Sequence, residues 1–181
     1  MNPQGPIFLI GTMCSGKTTL AEAVAARTGL PSVDTDTEIE RRAGMSVGRI
    51  FETRGEEGFR ALERRVIEDL CDNSAAIIAT GGGVPCDPGN MDRMLRAGIV
   101  VWLRCDMPVL LRRMAEGAGK RPLLAGLDAE ALRRKAIDIE AARAPFYGRA
   151  HSVFDSTRLD TPAEIEDTVR KFISTYLNER Q

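Results

Sequence analysis

The chain predicts a parallel α/β fold, on three observations. Short apolar runs alternate with helical patterns along all 181 residues. The clearest run, residues 99–103 (IVVWL), is apolar throughout, as in a strand covered on both faces. The segments rich in glycine or aspartate fall where strands end, and ligands of such sheets collect beyond the carboxyl ends of the strands.

Residues 7–10 (IFLI) make the first strand. The next eight, GTMCSGKT from Gly11 to Thr18, fit G-x-x-x-x-G-K-[ST], the loop that wraps nucleotide phosphates. Glycines at 11 and 16 permit backbone angles that a Cβ would obstruct, so successive N–H groups converge on phosphate oxygens. A helix from Thr19 onward adds a partial positive charge there and closes at Gly29 and Pro31. Residues 32–33 form a brief second strand ending in Asp34-Thr35-Asp36. Two short helices follow, about 37–43 and 46–53, the second capped by Ser46. Beyond Gly55 a longer helix sets Phe59, Leu62, Val66 and Leu70 along one face. Residues 75–79 give a third strand, which runs into Gly81-Gly82-Gly83. Asp87-Pro88 opens a helix with Met91, Met94 and Leu95 inward and Gly98 at its end. The strand at 99–103 leads to a helix from about 107, a glycine-rich basic segment at 117–122, and a helix over about 128–143. A last strand at 151–154 precedes a helix opened by a Thr161/Glu164 capping box, with Ile165, Val169, Phe172 and Tyr176 on its inner face.

The length suits one domain, 1–181. An apolar fraction of 43% and a charged fraction of 28% are those of an ordinary globular protein. A net charge of −1 gives no bulk attraction to nucleic acid or to an anionic membrane. The first residues lack the basic and apolar segments of a signal peptide, and no apolar run approaches the ~20 residues of a membrane span, so a cytoplasmic protein is expected. Cys14, Cys71, Cys86 and Cys105 are widely spaced without a C-x-x-C pair and read as thiols in a reducing compartment. Cys14 reads as a small side chain tolerated at a variable loop position, a thiol of lowered pKa being the other reading.

In a loop of this pattern Lys17 reaches the β- and γ-phosphates and the Thr18 hydroxyl ligates Mg²⁺. Asp34 and Asp36 alternate, so on extended backbone one can face a metal and the other an acceptor hydroxyl. Alternatively, Asp36 simply caps the helix beginning at Thr37. Arg60 lies at the border of a buried stripe, with Glu56 and Glu63 placed at i−4 and i+3 to orient it, or it is a solvated helix charge. Three glycines at a strand end suit close approach of a ligand to the backbone, or a loose turn. Lys120-Arg121 amid glycines suits a lid that closes over phosphates, or a solvated loop. Arg143 ends its helix, where the dipole alone favours a cation. His151, the one histidine, has no Cys or Asp partner nearby in sequence and reads as structural.

Taken in order, GTMCSGKTTLA, VDTDTEIE, GMSVGRIFETRGEEGFRALE, TGGGVP, RPLL and RAPFY resemble the shikimate kinase family over nearly the whole chain. A phosphate loop alone is shared by very many NTPases; the full set in this order is far more selective. The resemblance implies transfer of the ATP γ-phosphoryl to the 3-hydroxyl of shikimate. It also implies a three-layer P-loop fold of the nucleoside-monophosphate-kinase type, with a five-stranded parallel sheet, a mobile lid at about 114–126 and a substrate-binding helical region at about 36–63. ATP would be held by Gly11, Cys14, Ser15, Gly16, Lys17, Thr18 and Thr19, with Arg121 meeting the transferring phosphate and Arg113 and Arg158 near the adenine. Thr18 and Asp34 would serve Mg²⁺, Asp34 through water. Asp36 would bind the shikimate hydroxyls and act as base, Arg60 and Arg143 would hold the carboxylate, and Gly81, Gly82 and Gly83 would pack on the ring. Catalysis then rests on Asp36, Lys17 and Arg121. The implied partners are the small molecules ATP and shikimate, with neither nucleic acid nor membrane, and a monomer is expected. The chain departs from the family pattern at Cys14, where a glycine is frequent, and at Thr18-Thr19, where Ser-Thr is common. Two other readings keep the phosphate loop: a related kinase such as gluconate kinase, and a non-catalytic ATP-dependent regulator. The acceptor-side set argues against the regulator, which has no use for those groups.

Overall fold

The computed structural model describes residues 5–72, 75–117, 124 and 126–177. Arg121 and Lys120, with much of the expected lid, lie outside the described residues. Five parallel strands form one sheet: β1 (Ile7–Ile10), β2 (Ser32–Asp34), β3 (Ile77–Ala79), β4 (Ile99–Arg104) and β5 (Ser152–Asp155), in the order β2-β3-β1-β4-β5. The central strand β1 therefore lies where the chain first moves outward toward β2 and later crosses back to β4. The crevice beyond its carboxyl end is the place where such sheets bind ligands.

Alternation along the strands divides the core in two. Phe8, Ile10, Ile78 and Val100 face one layer, which contains α3 (Val47–Cys71), α4 (Pro88–Ala97) and the end of α6 (Ala129–Tyr147). Ile7, Leu9, Ile77, Val101 and Leu103 face the other, made by α1 (Lys17–Thr28) and α7 (Pro162–Tyr176). Residues one apart on a strand point to opposite faces, so a continuous apolar run is what a doubly covered sheet requires. Each such fully buried side chain contributes about 1.5–3 kcal/mol. The remaining helices, α2 (Thr35–Ala43) and α5 (Met107–Glu116), flank the carboxyl ends of β2 and β4.

Several local expectations hold. Gly29 closes α1 with φ 74°, Ser46 caps α3, Asp87 caps α4 with Pro88 behind it, and Thr161 and Glu164 form the capping box of α7. Gly55 breaks α3 into the two expected helices, since its φ of 66° and ψ of −175° are not helical. His151 is structural: its Nδ1 accepts from the Val100 N–H and its own N–H donates to the Val100 carbonyl.

Others need correction. Helix α1 begins at Lys17, inside the phosphate loop, rather than at Thr19. Helix α2 begins at Thr35, and its cap is Asp34, whose Oδ1 accepts from the N–H groups of Asp36 and Thr37. A 3₁₀ turn at Val84–Cys86 follows the glycines; three residues are too few to show a period. Helix α6 continues to Tyr147, four residues past the expected end and through Pro145. Pro145 removes one N–H, but the turn is anchored by Tyr147, which is fully buried and donates its hydroxyl to the Gly82 carbonyl at 2.7 Å. Arg143 therefore does not end its helix, and the helix dipole does not account for it.

Candidate active site

The phosphate loop leaves β1 at Gly11, whose φ of 143° is open only to glycine and whose Cβ would stand 2.6 Å from the Leu103 carbonyl. Cys14 also lies in the left-handed region, at φ 64°, so this position is not neutral: the backbone there favours the residue that the chain lacks. Gly16 has φ 92°, and a Cβ on it would meet Leu159. The first turn of α1 holds no acidic residue, leaving its N–H groups and positive dipole end without a carboxylate of their own helix.

Lys17 is 8% exposed, and its ammonium donates to the carbonyls of Gly11 and Thr12, each at 2.8 Å. Burial lowers its pKa to about 8, against the opposing pull of Asp36. The Thr18 hydroxyl donates to Asp34 Oδ2 at 2.8 Å. Asp34 thus uses one oxygen to cap α2 and turns the other toward the phosphate loop. These two oxygen donors, one hydroxyl and one carboxylate, are the hard ligands that Mg²⁺ takes.

Asp36 is one residue inside α2 and so remains available to the cleft. Burial, then the neighbouring Asp34 charge, raises its pKa above the usual carboxylate range. The three glycines explain themselves by what approaches them. A Cβ on Gly81 would stand 2.7 Å from Asp36 Oδ1, one on Gly82 2.5 Å from Arg143 Nη1, and one on Gly83 2.8 Å from Arg60 Nη1. Each glycine makes room for one of the three polar side chains expected on the acceptor side. None of the three has a positive φ, so clearance rather than backbone freedom requires glycine here. Gly81 is held further by its N–H, which donates to the buried Thr35 hydroxyl at 2.8 Å.

Arg60 is oriented as its spacing predicts. Its Nη1 donates to both oxygens of Glu63 at 3.0 and 2.9 Å, and its Nη2 to Glu56 at 3.5 Å. Glu63 is almost wholly buried, and burial raises its pKa while Arg60 opposes the rise. The Arg60 guanidinium also lies 5.4 Å from the centre of the Phe59 ring, which stacks on Phe51 at 4.6 Å.

A cleft of about 430 Å³ runs from the phosphate loop to Asp36 and the first two glycines; Cys14, Gly16, Lys17, Thr18, Thr19, Asp34, Asp36, Gly81 and Gly82 line it, whereas Arg60, Arg143 and Gly83 are not among its lining residues. Arg113 lines it too, but its guanidinium is engaged by the carbonyls of Ser156 and Thr157 and by Asp160. It bolts the loop after β5 to α5. Arg158 is not among the lining residues; it is exposed and paired with Glu164 at 3.7 Å, whereas its neighbours Leu159 and Asp160 do line the cleft. Sequence reading missed Leu159, and also Tyr147 and Glu140, which act across 65 and 128 positions and leave no local pattern. Glu63 was visible as an i+3 neighbour of Arg60. Among the described residues no three metal-ligating side chains cluster into a ready-made metal site, and no helix is long and apolar enough to cross a membrane.

Comparison with known proteins identifies the family. The shikimate kinase family profile fits residues 13–175. The shikimate kinase of Bacteroides thetaiotaomicron is 39% identical over 165 residues, covering 91% of this chain and 94% of the relative. A crystal structure of shikimate kinase from that organism superposes with a TM-score of 0.90 at 38% identity, over 95% of this chain and 98% of the other. That of the Acinetobacter baumannii shikimate kinase in complex with shikimate gives 0.83 at 32% identity, over 97% and 94%. The chain belongs to the shikimate kinase family, enzymes that use ATP as phosphoryl donor.

Proposed function

We propose that this enzyme transfers the ATP γ-phosphoryl to the 3-hydroxyl of shikimate, with the residues of the cleft in the following roles. The loop from Gly11 to Thr19 cradles the phosphates, and Lys17 turns from the Gly11 and Thr12 carbonyls to the β- and γ-phosphates. Thr18, and Asp34 through water, would hold Mg²⁺, which would supply charge neutralisation on the phosphate oxygens. Asp36 accepts the hydrogen bond of the acceptor hydroxyl and takes its proton as the bond to phosphorus forms. Arg60 and Arg143 grip the acceptor carboxylate, a planar group that suits two guanidiniums. The ring rests against Gly81, Gly82 and Gly83, where the absence of Cβ atoms leaves space. Arg121 serves from the lid at about 114–126, and residues of 36–63 form the acceptor side. The proposal includes a cytoplasmic monomer.

The observation that carries the reading is the convergence of Asp36, Arg143 and Arg60 on three consecutive glycines. A base and two guanidiniums set against three consecutive glycines suit a compact, cyclic carboxylated polyol better than an open-chain sugar acid or an ATP-driven switch. Release of ADP, followed with shikimate, with gluconate and without acceptor, separates the three readings. Turnover with shikimate alone is expected; turnover with gluconate, or without any acceptor, overturns the assignment. Asp36→Asn should lower turnover by about 10²–10⁴-fold while ATP still binds.

A further inference from the structure

We infer that Glu140 is a positioning residue, which sets the distance between the phosphate loop and the helix that carries Arg143. The argument starts from one face of α6. Glu140, Arg143 and Tyr147 occur at i, i+3 and i+7, so they share a side of the helix. All three reach the reaction centre, at different parts of it. The Glu140 carboxylate accepts the hydroxyl of Thr12, in the phosphate loop. Arg143 Nη1 lies against Gly82, and the Tyr147 hydroxyl donates to the carbonyl of that same glycine.

Thr12 is suited to take such a strut. It is 2% exposed, and its carbonyl already accepts from Lys17 Nζ at 2.8 Å and from the Ser15 N–H at 3.2 Å. Those bonds stay within the loop; the hydroxyl is the group that ties it to α6. A hydrogen bond to a charged acceptor is also about twice as strong as one between neutral groups. The phosphate loop and the acceptor glycines also run close together, since a Cβ on Gly82 would stand 3.5 Å from the Gly11 carbonyl. Glu140 thus closes a frame: loop to helix through Thr12, helix to glycines through Tyr147, glycines back to loop at Gly11. Phosphoryl transfer depends chiefly on how well donor and acceptor are held in line, and a misplacement of about 1 Å costs on the order of 10²-fold. Removing one side of the frame should therefore slow the transfer more than it weakens either substrate.

The inference rests on the placing of Arg143 at the acceptor carboxylate, and the test separates the two. Glu140→Ala, Glu140→Gln, Thr12→Val, Thr12→Ser, the Glu140→Ala/Thr12→Val pair and Arg143→Ala are compared for kcat, for each KM, for the Kd of each substrate alone, and for Tm. Glu140→Ala should lower kcat by roughly 10-fold or more with each separate Kd within about twofold, and the loss should persist well below its Tm. Glu140→Gln, whose amide oxygen still accepts, should recover to within about threefold, as should Thr12→Ser. Thr12→Val should match Glu140→Ala, and the pair should be no worse than either alone. Parental kcat in Glu140→Ala, additive losses in the pair, a Glu140→Gln as poor as the alanine, or a deficit that vanishes on cooling each overturns the inference. Arg143→Ala reports on the other reading: an unchanged acceptor Kd there removes Arg143 from the carboxylate without altering the outcome for Glu140.

Discussion

At the scale of single residues, the pivotal group is Lys17, because its position and its charge oppose each other. Burial beneath the loop lowers its pKa to about 8, and the ammonium spends its hydrogen bonds on two loop carbonyls. A phosphate chain arriving at the loop favours the charged form and must raise that pKa. ATP binding should then take up a proton at pH 8–9, and ATP affinity should fall as pH rises through about 8, by at most about tenfold per unit. Calorimetry in two buffers of different ionisation enthalpy reads the proton directly; release instead of uptake would refute the argument. Asp36 acts at the other limb. Its raised pKa means that it gains a proton at a higher pH than an ordinary carboxylate, so acceptor turnover should fall there as pH drops. The pattern G-x-x-x-x-G-K-[ST] was enough to name Lys17 and Thr18. It could not show that the lysine folds back onto carbonyls, nor that Cys14 stands at φ 64°, because both depend on how the loop closes against β4 and α6.

At the scale of elements, the glycine run after β3 and helix α6 work as one unit. Gly82→Ala is the informative substitution, because its new Cβ would stand 2.5 Å from Arg143 Nη1, the far end of a flexible side chain. Its φ is not left-handed, so the backbone accepts alanine and the fold should survive. The displaced guanidinium should raise the acceptor KM by about 10-fold or more, as expected for loss of a charged hydrogen bond, with Tm nearly unchanged. Gly11→Ala makes the contrast: φ 143° and a backbone oxygen at 2.6 Å leave it nothing to move, so stability rather than the acceptor KM should suffer. Parallel thermal melts and initial rates of the two variants check both statements. That the triplet admits something close was legible, since three glycines have few other uses at a strand end. What it admits was not, because Asp36, Arg60 and Arg143 come from α2, α3 and α6. Likewise the helix expected to end near residue 143 continues through Pro145. What carries α6 past Pro145 is the burial of Tyr147 and its hydrogen bond to Gly82, a partner 65 positions away in sequence.

At the scale of the molecule, the proposed function divides the labour by side. Alternating strands and helices identified the parallel α/β class from the sequence, and the apolar runs of β1 and β4 marked the buried centre. The order β2-β3-β1-β4-β5 was not readable from periodicity, which describes each segment but not its neighbours. In the proposed function, α1 and the loop after β5 serve the nucleotide side of the cleft, and α2, α3 and α6 the acceptor side. Damage should therefore sort by side. Arg60→Lys keeps the charge but loses the planar fork proposed to grip the acceptor carboxylate, so the acceptor KM should rise by about 10–100-fold with the ATP KM within about twofold. Arg113→Ala frees the loop carrying Leu159 and Asp160 by removing its bonds to Ser156 and Thr157, so the ATP KM should rise while the acceptor KM holds. A matrix of initial rates over both substrates measures all four constants in one experiment. If either variant moved both KM values together, the two sides would not be independent, and the proposed division would be wrong.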